Sequence, residues 1–130
     1  MIVVDASIVT AVVAEDDERA RRLRVRLAGE HLFAPELVDV EVASAIRRGR
    51  RSRLFSEERA VRALAELALM PVARVSHTVL LHRIWNLRDN LTAYDAAYVA
   101  LAQVLCAPLM TGDAPLARAP DLKCEVVLVS

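Results

Sequence analysis

The sequence is poor in cysteine, which limits the chemistry that it can support. Its two cysteines, Cys106 and Cys124, lie far apart, and neither has a histidine nearby at the spacing of a metal site. A disulfide scaffold and a cysteine-ligated zinc module are therefore not expected. Both thiols are predicted to be reduced residues of the core.

Long hydrophobic runs are also missing. The longest run without a charged residue, Ala96–Gly112, has 17 residues and is interrupted by Pro108, whereas a bilayer requires about 20 apolar residues. The apolar N-terminal segment has no basic flank and contains Asp5, which does not fit a signal peptide. We therefore expect a cytoplasmic protein with no membrane partner.

The chain has no overall charge of one sign, because its 17 basic and 17 acidic side chains cancel. Net charge thus provides no general attraction toward nucleic acid or membrane. The arginines are nevertheless clustered, with five between Arg19 and Arg26 and seven between Arg47 and Arg62. Apolar residues make up 55% of the 130 positions, enough for the core of a single domain over residues 1–130.

Short apolar strands alternate with helices along the chain. The expected strands are Ile2–Val4, Leu32–Ala34, Val72–Val75, Leu109–Met110 and Glu125–Val129. The expected helices are Ser7–Ala14, Asp17–Ala28, Glu36–Arg51, one that opens at Ser56 and stops at Pro71, His77–Leu87, Thr92–Cys106 and a short one before the last strand. This alternation predicts a three-layer α/β/α sandwich around a mostly parallel sheet of about five strands. Ligands of such sheets bind at the carboxyl ends of the strands.

Two of these helices have informative apolar patterns. The helix Thr92–Cys106 is almost wholly apolar, which predicts a position in the centre of the fold. The helix that opens at Ser56 has an apolar stripe at helical spacing. Its members are Val61, Leu64, Ala65 and Ala68.

Four acidic residues stand where this fold would bring them to one crevice. Asp5 directly follows the first strand, and Asp113 follows the strand that ends at Met110. Asp95 is the only charged residue in the first turns of the most apolar helix. Glu41 lies in the middle of the helix face that should pack on the sheet, where an unpaired carboxylate is costly.

Each acid also has a purely structural interpretation. Asp5 fits a loop residue before a helix that Ser7 caps, and Glu41 fits a buried salt bridge. Asp95 has capping-box spacing from a threonine, and Asp113 fits an ordinary helix cap. Four unrelated structural residues would not be expected to share one crevice, so their common position favours a functional site.

Carboxylates gathered within a few ångström repel one another, and a divalent cation is the usual remedy. Oxygen ligands without histidine or cysteine select Mg²⁺ or Mn²⁺ over zinc. Such an ion polarises a phosphoryl oxygen and activates a water molecule for in-line attack. Phosphodiester hydrolysis is the reaction class that fits this chemistry.

Four segments carry a pattern that extends over essentially the whole chain. They are Asp5-Ala6-Ser7, Ala34-Pro35-Glu36-Leu37 leading to Glu41 and Ala45-Ile46-Arg47-Arg48, the stretch from Tyr94 to Ala102, and Thr111-Gly112-Asp113. Together they resemble the PIN-domain family, and more narrowly the VapC-type ribonuclease toxins of bacterial toxin–antitoxin pairs. The stretch from Asp95 to Ala102 is the most specific part of this resemblance.

The resemblance implies a PIN-like fold and a metal-dependent endoribonuclease that uses Mg²⁺ or Mn²⁺. The implied catalytic and metal-binding residues are Asp5, Glu41, Asp95 and Asp113. Ser7 and Thr111 would be polar neighbours that orient ligands or water. The resemblance also implies a homodimer that a cognate antitoxin inactivates by placing a basic side chain in the acidic pocket. The further acid that family members often carry after the fourth one is missing here, so one-metal and two-metal sites both remain open.

Arginines near these acids are candidate contacts to an RNA substrate. Arg47, Arg48 and Arg51 lie on the same helix as Glu41, where they could bind phosphates at the rim of the pocket. A solvated helix face is the alternative for these three. The group from Arg19 to Arg26 is expected to be only a solvated face.

The single tryptophan and the two tyrosines are expected to pack in the core, although each could stack on a nucleic acid base. They are Trp85, Tyr94 and Tyr98.

Three other functions have weaker support in the sequence. An aspartate-nucleophile phosphatase would need a second aspartate where Ser7 stands. A phospho-accepting receiver domain would need paired acids after the first strand and a lysine after the last sheet strand. A non-catalytic PIN-like RNA- or protein-binding module would have no reason to retain four buried carboxylates.

Overall fold

Five short strands form the centre of the structure, a computed structural model that describes residues 1–130. The strands are β1 (Ile2–Val4), β2 (Leu32–Pro35), β3 (Val72–Val75), β4 (Leu109–Thr111) and β5 (Val126–Leu128). All neighbouring pairs are parallel, in the order β3-β2-β1-β4-β5. The prediction of a mostly parallel sheet of about five strands is confirmed.

The order of the strands creates a crevice at one place in the sheet. The chain runs from β1 outward through β2 to β3 and then returns to β4 on the other side of β1. A ligand crevice is expected where the strand order reverses, at the carboxyl ends of β1 and β4. Val4 is in register with Met110, so the residues that follow these two positions are neighbours.

Seven helices and one 3₁₀ turn connect the strands. The helices are α1 (Ala6–Ala14), α2 (Glu18–Leu27), α3 (Val38–Arg51), α4 (Glu57–Leu69), α5 (Leu81–Asn86), α6 (Ala93–Leu105) and α7 (Ala114–Ala117), and the turn is His77–Leu80. Asp17, Ser56 and Thr92 accept hydrogen bonds from backbone N–H groups in the first turns of α2, α4 and α6. These caps explain where the three helices begin.

The helices form the outer layers of an α/β/α sandwich. Helix α1 packs on α2, α3 and α4, whereas α6 packs on α5 and directly on β1, β2 and β4. Every residue from Ala96 to Ala102 is buried, because α6 has no polar face in this segment. The predicted central position of this helix is confirmed. None of the helices combines the length and apolar character that a membrane span requires.

Helix α4 buries a different face from the one that carries its apolar stripe. The residues that it buries are Ala60, Ala63 and Leu67, whereas Val61 and Leu64 are 59% and 42% exposed. Apolar residues occur on two adjacent faces of this helix, so the pattern alone does not select between them. The face with two alanines is buried against α1 and α3, where small side chains allow a close approach.

The prediction for the cysteines is wrong for one of them. Cys106 is exposed at the C-cap of α6, with a left-handed backbone at φ 49°. Cys124 is half-buried, and burial raises the pKa of its thiol. The two remain free thiols.

Candidate active site

Asp5 occupies the crevice between β1 and β4. It is the N-cap of α1, and its Oδ1 accepts hydrogen bonds from Ile8 N at 3.1 Å and from Ser7 Oγ at 2.6 Å. The cap is therefore Asp5 itself, and the structural alternative in which Ser7 caps this helix is wrong. Ser7 lies inside the first turn, where its hydroxyl is free to bind the carboxylate.

The end of β4 completes the environment of Asp5. Thr111 is fully buried, and its hydroxyl donates to Asp5 Oδ2. The same hydroxyl oxygen accepts from Asp113 N at 2.9 Å, and Ser7 Oγ accepts from Gly112 N at 2.8 Å. Ser7 and Thr111 thus fix the carboxylate of Asp5 and the loop after β4 relative to each other.

Glu41 reaches the site from α3. Its Oε1 accepts a hydrogen bond of 2.6 Å from the hydroxyl of Tyr98 on α6. No arginine, lysine or histidine forms an ion pair with it, so the salt-bridge alternative is wrong. Glu41 is half-buried at the border of the face that Val38 and Val42 bury, rather than in its middle.

Asp95 and Asp113 begin the helices on either side of this crevice. Asp95 N donates to Thr92 Oγ1 at 3.2 Å, but the carboxylate of Asp95 makes no return bond. The capping box is thus half-formed, which leaves this carboxylate available. Asp113 is the N-cap of α7, with its Oδ1 accepting from Leu116 N at 3.0 Å, as its structural interpretation predicts.

The pKa values show that these acids act on one another. Burial raises the pKa of Asp5 despite the hydrogen bonds from Ser7, Thr111 and Ile8 that lower it. Burial also raises the pKa of Glu41, which the negative charges of Asp95 and Asp5 raise further while the Tyr98 hydroxyl lowers it.

The pKa of Asp95 shows the same coupling. It is raised first by burial and then by the charges of Asp113 and Asp5. None of the four acids forms an ion pair with a basic side chain. The fold therefore holds four carboxylates in one site with no basic side chain paired to them.

The chemistry of these side chains fits a hard divalent cation. The available donors are carboxylate and hydroxyl oxygens, and the uncompensated negative charge would be relieved by an ion such as Mg²⁺ or Mn²⁺. No three His, Cys, Asp or Glu side chains lie close enough together to enclose an ion. The type of donor and the charge thus fit such an ion, whereas the spacing of the side chains does not.

An open cavity of about 610 Å³ extends from Glu41 into the groove between α1 and α3. Of the three predicted RNA contacts, Arg48 lines this cavity, whereas Arg47 and Arg51 are exposed outside it. Arg19 lines the cavity too, although the sequence favoured a solvated face for it. Arg19 is far in sequence from β4 and β5, and no local pattern in the sequence predicts that it lies beside them.

The prediction for the aromatic residues holds for one of three. Tyr98 is buried, as expected, but Trp85 and Tyr94 are 65% and 67% exposed. The Arg88 guanidinium lies 4.5 Å from the centre of the Trp85 ring. Tyr94 lines the cavity from the first turn of α6, next to Asp95.

The fold and the site together define a parallel α/β protein with a carboxylate pocket at the switch point of its sheet. The family model described as the PIN domain matches residues 2–122. The chain therefore belongs to the PIN-domain family, as the sequence segments indicate.

Curated relatives and solved structures agree with this assignment. Ribonuclease VapC1 of Mycobacterium tuberculosis is 45% identical over 128 residues, which cover 98% of this chain and 96% of the relative. Ribonuclease VapC9 of the same organism is 42% identical over 130 residues, with coverage of 99% and 98%.

Two solved structures share the fold at low identity. VapBC2 from Rickettsia felis, bound to a DNA fragment from its promoter, matches with a TM-score of 0.72 and 14% identity over 100% of both chains. VapC20 of Mycobacterium tuberculosis, titled a Sarcin-Ricin loop cleaving toxin, matches with a TM-score of 0.67 and 19% identity, covering 90% of this chain and 93% of that one. At these identities the likeness shows the fold alone.

The raised pKa of Asp95 predicts how stability depends on pH. Folding raises this pKa above its ordinary value of 3.8, so the folded state favours the protonated carboxyl. Its contribution to the free energy of unfolding is fully present below pH 3.8 and is lost as the pH rises and the carboxyl ionises. In EDTA at about pH 7.5, Asp95→Asn is expected to raise the melting temperature by about 2–3 °C. The effect is small because the carboxylate is half-exposed and screened by water.

Calorimetry at two pH values tests this expectation. At about pH 3 the gain from Asp95→Asn should shrink to a small fraction of its value at about pH 7.5, because the wild-type carboxyl is then mostly protonated in both states. Asp89→Asn is a matched control, since Asp89 is exposed and forms no ion pair. An equal gain from Asp95→Asn at both pH values would contradict the electrostatic interpretation of the site.

Proposed function

We propose that this protein is a metal-dependent endoribonuclease and the toxin of a type II toxin–antitoxin pair. The observation that carries the proposal is the set of four carboxylates at one end of the sheet with no basic partner. Relatives named as VapC ribonucleases, aligned over nearly the whole chain, support the same activity. Phosphodiester hydrolysis is the chemistry that an acidic oxygen-ligand site of this kind serves.

The residues that would hold Mg²⁺ or Mn²⁺ are Asp5, Glu41, Asp95 and Asp113. When bound, the ion would polarise the scissile phosphate and lower the pKa of an attacking water molecule. Ser7 and Thr111 would keep the carboxylate of Asp5 in one rotamer through their hydroxyl groups. A carboxylate fixed in this way requires little rearrangement when its ligand arrives.

Glu41 keeps one of its carboxylate oxygens available in this site. The Tyr98 hydroxyl binds Oε1, and Oε2 remains available to a water molecule or to a substrate hydroxyl. Arg48, on the same helix, would contact a phosphate group of the RNA strand.

Asp5→Asn is expected to lower kcat for RNA cleavage by about a hundredfold or more, because it removes the most constrained carboxylate. The fold should survive, since asparagine caps helices about as well as aspartate. Cleavage of single-stranded RNA is measured with Mg²⁺, with Mn²⁺ and with EDTA, and folding is checked by circular dichroism.

Asp17→Asn is the matched control for this experiment. Asp17 caps α2 as Asp5 caps α1, with its Oδ1 accepting from Ala20 N at 2.8 Å, but it lies outside the site. Its substitution should leave cleavage unchanged. A wild-type protein that binds RNA but does not cut it with either ion would instead indicate a non-catalytic binding module.

We further propose that the chain forms a homodimer and that a cognate antitoxin inhibits it by inserting a basic side chain among the carboxylates. Since no basic residue of this chain occupies that position, the pocket is electrostatically suited to one from a partner. Co-expression with the product of the neighbouring gene should give a complex that survives purification and has lost RNA cleavage. A chain that ignores this product, and cleaves equally well in its presence, would contradict the toxin assignment.

A further inference from the structure

The groove between α1 and α3 continues the acidic site along the surface. Its α3 side is formed by residues that recur at helical spacing on one face, namely Val40, Glu41, Ser44, Ala45 and Arg48. Its α1 side begins with Ser7, the residue that binds Asp5, and continues to Thr10 one turn later. From Glu41 to Arg48 the groove extends about 10 Å along the axis of α3.

Two arginines flank this groove. Arg48 is exposed and forms no ion pair. Arg19 lies across from it with its guanidinium packed on Gly112, where an added Cβ would be only 2.7 Å from Nη2. A glycine after Thr111 thus leaves room for a positive charge next to Ser7 and the carboxylate site.

Arg19 is partly neutralised in the free protein. Its Nη1 lies 3.6 Å from Glu15 Oε2, and its Nη2 donates to Val129 O at 3.4 Å. Glu15 is the C-cap of α1, a position at which the helix dipole disfavours a negative charge. The long ion pair and this unfavourable position leave Arg19 available to a stronger anion.

The groove also offers contacts that do not depend on charge. Tyr94 is 67% exposed on the first turn of α6 and lines the groove at its acidic end. Thr10 lines the floor, and its Oγ1 is the only buried side-chain polar atom without a hydrogen-bond partner. An exposed tyrosine in a groove that two arginines flank is suited to stacking on a nucleic acid base.

We propose that the α1–α3 groove is the subsite for the RNA nucleotides next to the scissile bond, an inference that rests on the proposed ribonuclease function. Arg48 and Arg19 contact the backbone phosphates, Tyr94 stacks on a base, and Glu15 weakens binding by competing for Arg19. The acidic site alone would repel a polyanion, so these flanking cations supply the attraction that brings the strand to the carboxylates.

Equilibrium binding without cleavage tests the proposal. A fluorescent single-stranded RNA of about ten nucleotides is titrated in EDTA at several KCl concentrations, and anisotropy gives the affinity and its dependence on salt. Arg48→Gln should weaken binding about tenfold and reduce the slope of log K against log [salt] by about 0.7, the value for one phosphate contact in a single strand. Arg19→Gln should act in the same direction.

Two further substitutions separate charge from stacking. Glu15→Gln should strengthen binding about twofold to fivefold, a gain that misfolding cannot produce. Tyr94→Ala should weaken binding at least fivefold, about 1 kcal/mol, without changing the salt slope, and Tyr94→Phe should restore it. Arg62→Gln is the control, because Arg62 is exposed on α4 outside the groove and should behave as wild type.

Unchanged affinity and salt slope in both Arg48→Gln and Arg19→Gln would overturn the subsite, even if the wild-type protein cleaves RNA. The subsite would also be overturned if these variants bound RNA normally but no longer bound a co-expressed partner protein, since the groove would then be a protein interface. If the substitutions act as expected and the wild type cuts no RNA with Mg²⁺ or Mn²⁺, the ribonuclease proposal fails and an RNA-binding groove stands.

Discussion

Asp5 is a carboxylate that this protein buries with no basic side chain beside it, and the site is built around that constraint. Only neutral donors satisfy it, from the first turn of α1 and from Thr111 at the end of β4. The residue from β4 can reach Asp5 only because β4 pairs with β1, although 106 positions separate the two in sequence. The reversal of strand order at β1 is therefore what makes the site possible.

The same arrangement works against the stability of the fold. Burial raises the pKa values of Asp5, Glu41 and Asp95, and repulsion by neighbouring acids raises those of Glu41 and Asp95 further, so each of these acids is disfavoured in its charged form. The apolar layer that α6 packs on the sheet must outweigh this cost, and it is continuous from Ala96 to Ala102. Local violations of the rules for stable cores are expected at sites that bind a ligand or perform chemistry.

Sequence patterns were sufficient for the strands, for the caps of α4, α6 and α7 and for the central helix, because each depends on neighbours within a few residues. These patterns also predicted that Asp5 and Asp113 lie in one crevice, since both residues follow strands. The Tyr98–Glu41 hydrogen bond joins residues 57 apart, and no local pattern encodes it. Two further features depend on how the helices pack: the choice between the two apolar faces of α4, and the contact of Arg19 with Gly112. Both emerge only from the three-dimensional structure.

The central claim is that the four carboxylates form one divalent-cation site, and a calorimetric titration with Mn²⁺ tests it most directly. The wild-type protein should show saturable binding near neutral pH, because the ion relieves repulsion that the chain itself leaves uncompensated. Asp95→Asn, which leaves every hydrogen bond around Asp5 in place, should weaken that binding severely. Absence of binding in the wild type, or equal affinity in the variant, would contradict the account.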